Sequence, residues 1–156
     1  MRGIGVRLTV ALPLAIAAAC GLHADEHSPI ESLRAKFPQG VPWHVEFSDS
    51  AGKSLGAIDM RITSQRGDSC LGDMNPDGVR VEFERKENLS PTLGTTAYGV
   101  AKFTDNKVRI DLTGGMCDAY LLIEGEIAAD GSSKGDVVAF GMRSGHDVAT
   151  YRATVR

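Results

Sequence analysis

From Val41 onward, apolar side chains recur at every second position in run after run, a period that demands strands with one buried face. Trp43, Val45 and Phe47 alternate with His44 and Glu46. After the turn-forming stretch Ser48–Lys53, Ile58, Met60 and Ile62 alternate with Asp59 and Arg61, so these two runs read as a hairpin. Val79, Val81 and Phe83 continue the pattern, followed by Thr96–Phe103, Val108–Leu112, Ala119–Ile127 and Val137–Met142; Arg143–Asp147 is the last turn, and Tyr151, Ala153 and Val155 close the series. Eight runs with mostly short connections predict an all-β fold: a small antiparallel up-and-down eight-stranded barrel, with a β-sandwich as the alternative. The barrel is preferred because Gly99, Gly125 and Gly141 interrupt otherwise good strands, where glycine is costly unless the strand must bend or bulge, as barrel corners require.

The residues ahead of this pattern read differently. Arg2 and Arg7 precede an uncharged, Ala- and Leu-rich run, Leu8–Ala19, in the manner of an export signal. The run falls short of the roughly 20 apolar residues of a membrane-spanning helix, and no later segment is long enough, so no membrane span is expected. One reading removes a signal peptide, residues 1–24, after Ala24. The other takes Ala17-Ala18-Ala19-Cys20-Gly21 as a lipoprotein box, with a signal of residues 1–19 and a lipid anchor on Cys20. The first is preferred because the box opens on Ala rather than Leu. Residues 25–40 form a polar lead and a short helix: Ser28-Pro29-Ile30-Glu31 combines a capping hydroxyl, a first-turn proline and a capping-box glutamate, and Ile30, Leu33 and Phe37 share a face before Pro38 ends it. Residues 41–156 are the barrel domain.

Export leaves Cys70 and Cys117 as a pair in an oxidising compartment, periplasmic or secreted, where two such cysteines bond. Closing that loop stabilises the fold by about 4 kcal/mol in the chain-entropy picture. Seventeen Lys and Arg stand against twenty Asp and Glu. Loss of residues 1–24 takes away two arginines and no acid, so the domain is mildly acidic. With no basic cluster and no aromatics interleaved with basic residues, nucleic acid is excluded as a partner.

Motifs that could carry chemistry are few. Asp73, Asn75, Asp77 and Gly78, with Glu84 beyond them, keep the spacing of an EF-hand calcium loop. Arg80 stands where such loops carry an aliphatic residue, Pro76 lies in the ligand run, and a strand follows. The turn reading is therefore preferred, and no metal site is favoured. Cleavage after Ala24 would expose Asp25-Glu26-His27, whose terminal amine and His27 can wrap copper(II). His44 sits on the polar face of the first strand and His146 in a turn beside Asp147, neither with an obvious companion. No cofactor motif and no catalytic constellation is present.

The N-terminal helix, the tryptophan early in the first strand and the meander together resemble the lipocalin-like group of small exported barrels. The likeness covers Trp43–Arg156 at the level of fold; the Gly-x-Trp motif is missing, since Val41 and Pro42 precede Trp43. It implies either carriage of a ligand or inhibition of an extracytoplasmic enzyme, and no site residue is carried over from it.

A binding role is accordingly expected over an enzymatic one: an exported protein-binding module, an inhibitor of a hydrolase such as a protease or lysozyme, presenting a rigid loop. The candidate loops are Gln65–Gly78, with Asp68, Ser69, Leu71, Asp73, Asn75 and Asp77 and pinned by Cys70, and Asn88–Gly94, with Leu89, Pro91 and Leu93. The alternative is a carrier for a small apolar ligand in the barrel interior. Mass spectrometry of the mature chain is expected to find Asp25 at its N-terminus; a diacylated Cys20 there would favour the anchored form instead.

Overall fold

The computed structural model describes residues 42–75, 77–141 and 145–156. The expected helix at 28–37, His27 and Cys20 lie outside them. Eight strands follow in chain order: β1 (Trp43–Ser48), β2 (Ser54–Arg66), β3 (Val79–Glu87), β4 (Tyr98–Thr104), β5 (Lys107–Asp111), β6 (Tyr120–Ile127), β7 (Ser133–Phe140) and β8 (Gly145–Val155). Each pairs antiparallel with the next, and β8 returns to β1 with Trp43 opposite Val155 and Phe47 opposite Tyr151. The sheet is thus a closed barrel, the preferred of the two expected architectures, and a two-sheet sandwich is ruled out.

Two boundaries differ most from the sequence reading. β7 begins at Ser133 rather than Val137, because the β6–β7 turn is tight: Gly131 takes a positive φ of 83°, and Asp130 accepts hydrogen bonds from the Ser132 backbone N–H and hydroxyl. Those bonds hold the Asp130 carboxyl below its ordinary pKa. Likewise β8 is already formed at Gly145, so His146 is a strand residue opposite Ala139 and not part of a turn.

Inward-pointing residues fill the barrel. Val45, Ile58, Met60, Val81, Ile110, Ile123, Val137 and Ala153 are fully buried, and Trp43 and Phe47 nearly so. Leu93 joins this core from the β3–β4 connection, and Leu89 packs against it, so that connection stoppers one end of the barrel. One rung of the interior explains Gly125 and Gly135, whereas Gly99 lies close to the Asp111 carbonyl and the Phe83 ring, and Gly141 falls just beyond β7 rather than inside a strand. Around the barrel, Val108 faces Gly125, Gly125 faces Gly135, Gly135 faces Tyr151, and Tyr151 faces Phe47. A Cβ on Gly125 would strike the Lys134 carbonyl and the Tyr151 hydroxyl; one on Gly135 would strike the Glu124 carbonyl. The missing side chains make room for the phenol of Tyr151, whose hydroxyl shares a 2.7 Å hydrogen bond with Ser133. An aromatic ring laid over strand glycines is a recognised way to build a tightly curved sheet.

Outward positions carry the charge: Glu46, Lys102, Arg109, Glu124, Lys134 and Arg152. A barrel that crosses a membrane has the opposite polarity, apolar outside. Among the described residues, no helix is long and apolar enough to cross one either.

Burial pushes the Tyr151 phenol up to about 12, against a smaller opposing effect of the Ser133 hydrogen bond. Between pH 10 and 12 the unfolded chain therefore loses this proton while the folded one keeps it, and stability falls as pH rises through that window. The share due to Tyr151 is about 2 kcal/mol. Urea denaturation at pH 9 and 11.5 is expected to show a larger alkaline loss for the wild type than for Tyr151→Phe.

Candidate functional site

The most constrained part of the surface lies outside the barrel. β6 carries apolar side chains on both faces, Leu121 and Ile123 inward and Leu122 outward, and all three are buried. On that outer face Val100, Asp111 and Leu122 form one cross-strand rung, and each is fully buried. What covers it is the connection between β2 and β3, residues 67–78, which runs as a strap across β4 and β5. A Cβ on Gly67 or Gly78 would crowd the side chain of Val100, so only glycine lets the strap lie this close. A single 3-10 turn, Gly72–Met74, sets the fully buried Met74 on its inner side.

The strap is fastened at several points. Ser69 donates its hydroxyl to Asp111 Oδ2 at 2.7 Å, while Oδ1 accepts from the Thr113 backbone N–H at 2.9 Å and the Thr113 hydroxyl at 2.7 Å. Both oxygens of a fully buried carboxylate are thereby satisfied, as burial requires. Ser69 Oγ also accepts the Leu71 N–H, and its carbonyl accepts from the Asn75 amide at 2.8 Å. Further along, the Asp73 carboxylate pairs with Arg109, and its carbonyl accepts from Lys102 Nζ at 2.6 Å. The Cys70–Cys117 disulfide, Cα–Cα 5.1 Å, completes the fastening. In an up-and-down barrel successive connections alternate between ends, so the second, 67–78, and the fifth, 112–119, leave opposite ends. The bond therefore ties the two ends together across the outer wall.

These contacts sort the candidate loop residues. Ser69 is buried and structural; Leu71 and Asn75 are half-buried; Asp68, Asp73 and Asp77 are exposed, as are Cys70, Cys117 and Asp118. Met116, beside the disulfide, is 43% exposed and one of two large apolar side chains so open among the described residues. In the other candidate loop Leu93 and Leu89 point into the core, leaving Pro91 and its neighbour Thr92 on the surface. The calcium-spaced carboxylates are not gathered: Asp73 is engaged by Arg109, while Glu84 pairs with Arg61 of β2. Among the described residues no three His, Cys, Asp or Glu side chains stand together as a metal site.

One cluster escaped the sequence reading. His44 does have a companion: its Nδ1 lies 2.6 Å from Asp59 Oδ1, and Arg156 Nη1 donates to Oδ2 of the same carboxylate at 2.9 Å. The register of the β1–β2 hairpin sets His44 opposite Asp59, but that register shifts between Phe47 and Ser48, so counting back from the 48–53 turn misses the pair. Glu46 Oε1 stands 3.9 Å from the other ring nitrogen. His44 and Asp59 lie on the outer wall across β1 and β2, and neither they nor Arg156 line the two clefts there, although Glu46 borders the larger one.

Those clefts also open on the outer wall. One, of about 560 Å³, lies beside Asp73, Lys102, Arg109 and Glu124; the other, of about 1280 Å³, runs across β6, β7, β8 and β1 between Glu126, Lys134, Asp136 and Arg152. Charges of both signs line each.

No family model, curated protein or solved structure matches the chain. The reading of function accordingly rests on the geometry of the strap.

Replacing Asp111 by Ala leaves the Ser69 and Thr113 hydroxyls buried without their acceptor, a change worth about 2 kcal/mol. The urea midpoint of Asp111→Ala is expected to fall accordingly with its slope unchanged, and an unaltered midpoint would contradict the role given to this carboxylate.

Proposed function

We propose that the chain is an extracytoplasmic protein-binding module that inhibits a hydrolase, with the strap 67–78 and the adjoining 114–119 segment as its contact face. The observation that carries this reading is the fastening just described: a surface segment held by a disulfide, a buried carboxylate and an ion pair, rather than left free. Segments already rigid lose little entropy on binding, which is how inhibitory loops reach high affinity. The face includes the exposed Asp68, Asp77 and Asp118 and the apolar Met116, with Arg66 3.5 Å from Asp68, a composition suited to a cationic partner with an apolar recess. The disulfide supports residence in an oxidising compartment.

The carrier reading gains no comparable support, because the inward side chains of the eight strands pack against one another. The His44–Asp59 pair gives an enzymatic reading one element, but among the described residues the two ring nitrogens meet the carboxylates of Asp59 and Glu46 and not a hydroxyl or thiol.

Titration calorimetry against cationic secreted hydrolases, lysozyme and trypsin first, is expected to find one bound at micromolar affinity or better. The double substitution Asp68→Lys, Met116→Asp should weaken that complex at least about tenfold, or ~1.4 kcal/mol, with the fold intact by circular dichroism. A complex indifferent to both changes would place the contact face elsewhere.

A further inference from the structure

We propose that Cys70–Cys117 is a redox latch: its reduction by a dithiol frees the strap from the outer wall while the barrel beneath stays folded. Both half-cystines are exposed, so a thiolate can reach the sulfurs without unfolding anything. Neither belongs to a strand. Cys70 precedes the 3-10 turn and Cys117 lies between β5 and β6, so the bond contributes to none of the pairings that close the barrel.

The two layers it joins are separate. The barrel core of Trp43, Phe47, Ile58 and their neighbours does not include Met74, Val100 or Leu122, which are buried on the far side of the wall. Without the bond the strap keeps one fully buried apolar side chain, Met74, the Ser69–Asp111 hydrogen bond, the partly exposed Asp73 pair with Arg109 and the exposed Lys102 bond to the Asp73 carbonyl. Its 3-10 turn has no side-chain cap. A twelve-residue excursion so held belongs to the class of segments that open locally, below the threshold of global unfolding.

The chemistry balances as ordinary exchange. A thiolate of the dithiol attacks one of the two sulfurs and displaces the other as thiolate; the second thiol of the reductant then attacks the mixed disulfide. Cys70 and Cys117 each end as a thiol, having taken two electrons and two protons in all, and the dithiol leaves as its own cyclic disulfide. Opening uncovers Val100, Leu122 and Asp111 and removes the rigidity on which the proposed contact face relies. That last consequence rests on the function proposed above; the opening itself does not.

The test uses the mature chain with and without dithiothreitol, followed by residue-resolved amide exchange and by fluorescence of Trp43, the single tryptophan and a reporter of the barrel core. Reduction is expected to accelerate exchange at least about tenfold at 69–75 and at Thr113, with β1, β7 and β8 still protected and Trp43 fluorescence unchanged. The variant Cys70→Ser, Cys117→Ser should reproduce the reduced pattern without reductant. Unchanged exchange in the strap after complete reduction would overturn the latch, and so would loss of protection throughout the barrel. A strap that opens while hydrolase binding persists would leave the latch standing and refute the contact face.

Discussion

Closure of the sheet by β1 and β8 is the constraint on which the rest of this molecule depends. An open eight-stranded meander would leave two edges of unpaired backbone; the ladder from Trp43–Val155 to Ser48–Thr150 removes both. Closing so small a ring demands strong curvature, and the curvature is supplied where Gly125 and Gly135 face each other and Tyr151 covers them. Neither glycine could carry a side chain without displacing a carbonyl of the neighbouring strand. The ring of Tyr151 then fills what the glycines leave open, and its hydroxyl is satisfied by Ser133 rather than left orphaned.

A closed wall has two faces, and here both are used for packing. The inner face holds the main core. Part of the outer face holds a second, smaller one beneath the strap, centred on Val100, Asp111 and Leu122. Asp111 is the unusual member, since a carboxylate without solvent is tolerated only when its oxygens are fully engaged. Its partners come from both segments that the disulfide joins, Ser69 from the strap and Thr113 from the β5–β6 connection. The polar link and the covalent one thus hold the same two pieces of chain together, which makes this corner of the surface rigid although it belongs to no strand. The functional proposal draws on that rigidity.

Much of the barrel was legible in the residues because a period of two is a local property. Trp43, Val45 and Phe47 declare their inward face without reference to anything distant. The apolar centre of β6 was also visible as a departure from alternation, and the reason for it, a cover over Leu122, was not. The strap is an irregular segment, and where such a segment lies depends on contacts with strands far away in sequence. Leu89 and Leu93 show the same limit: apolar residues in a loop read equally well as a contact surface or as a stopper, and only their burial decides between them. The His44–Asp59 pair was hidden for a related reason: the hairpin register shifts by one residue between Phe47 and Ser48, and counting from the turn without that shift puts the two side chains out of reach.

The sequence by itself determined the class of fold, the number of strands, their inward faces and the two cysteines free to bond, because alternation, glycine placement and cysteine count act over short stretches or by simple pairing. Tertiary structure alone decided that the sheet closes, that residues 67–78 lie against the outer wall, and which of their side chains remain in solvent. The physical reason is that these depend on strand tilt and on burial between segments tens of residues apart, which no local pattern encodes.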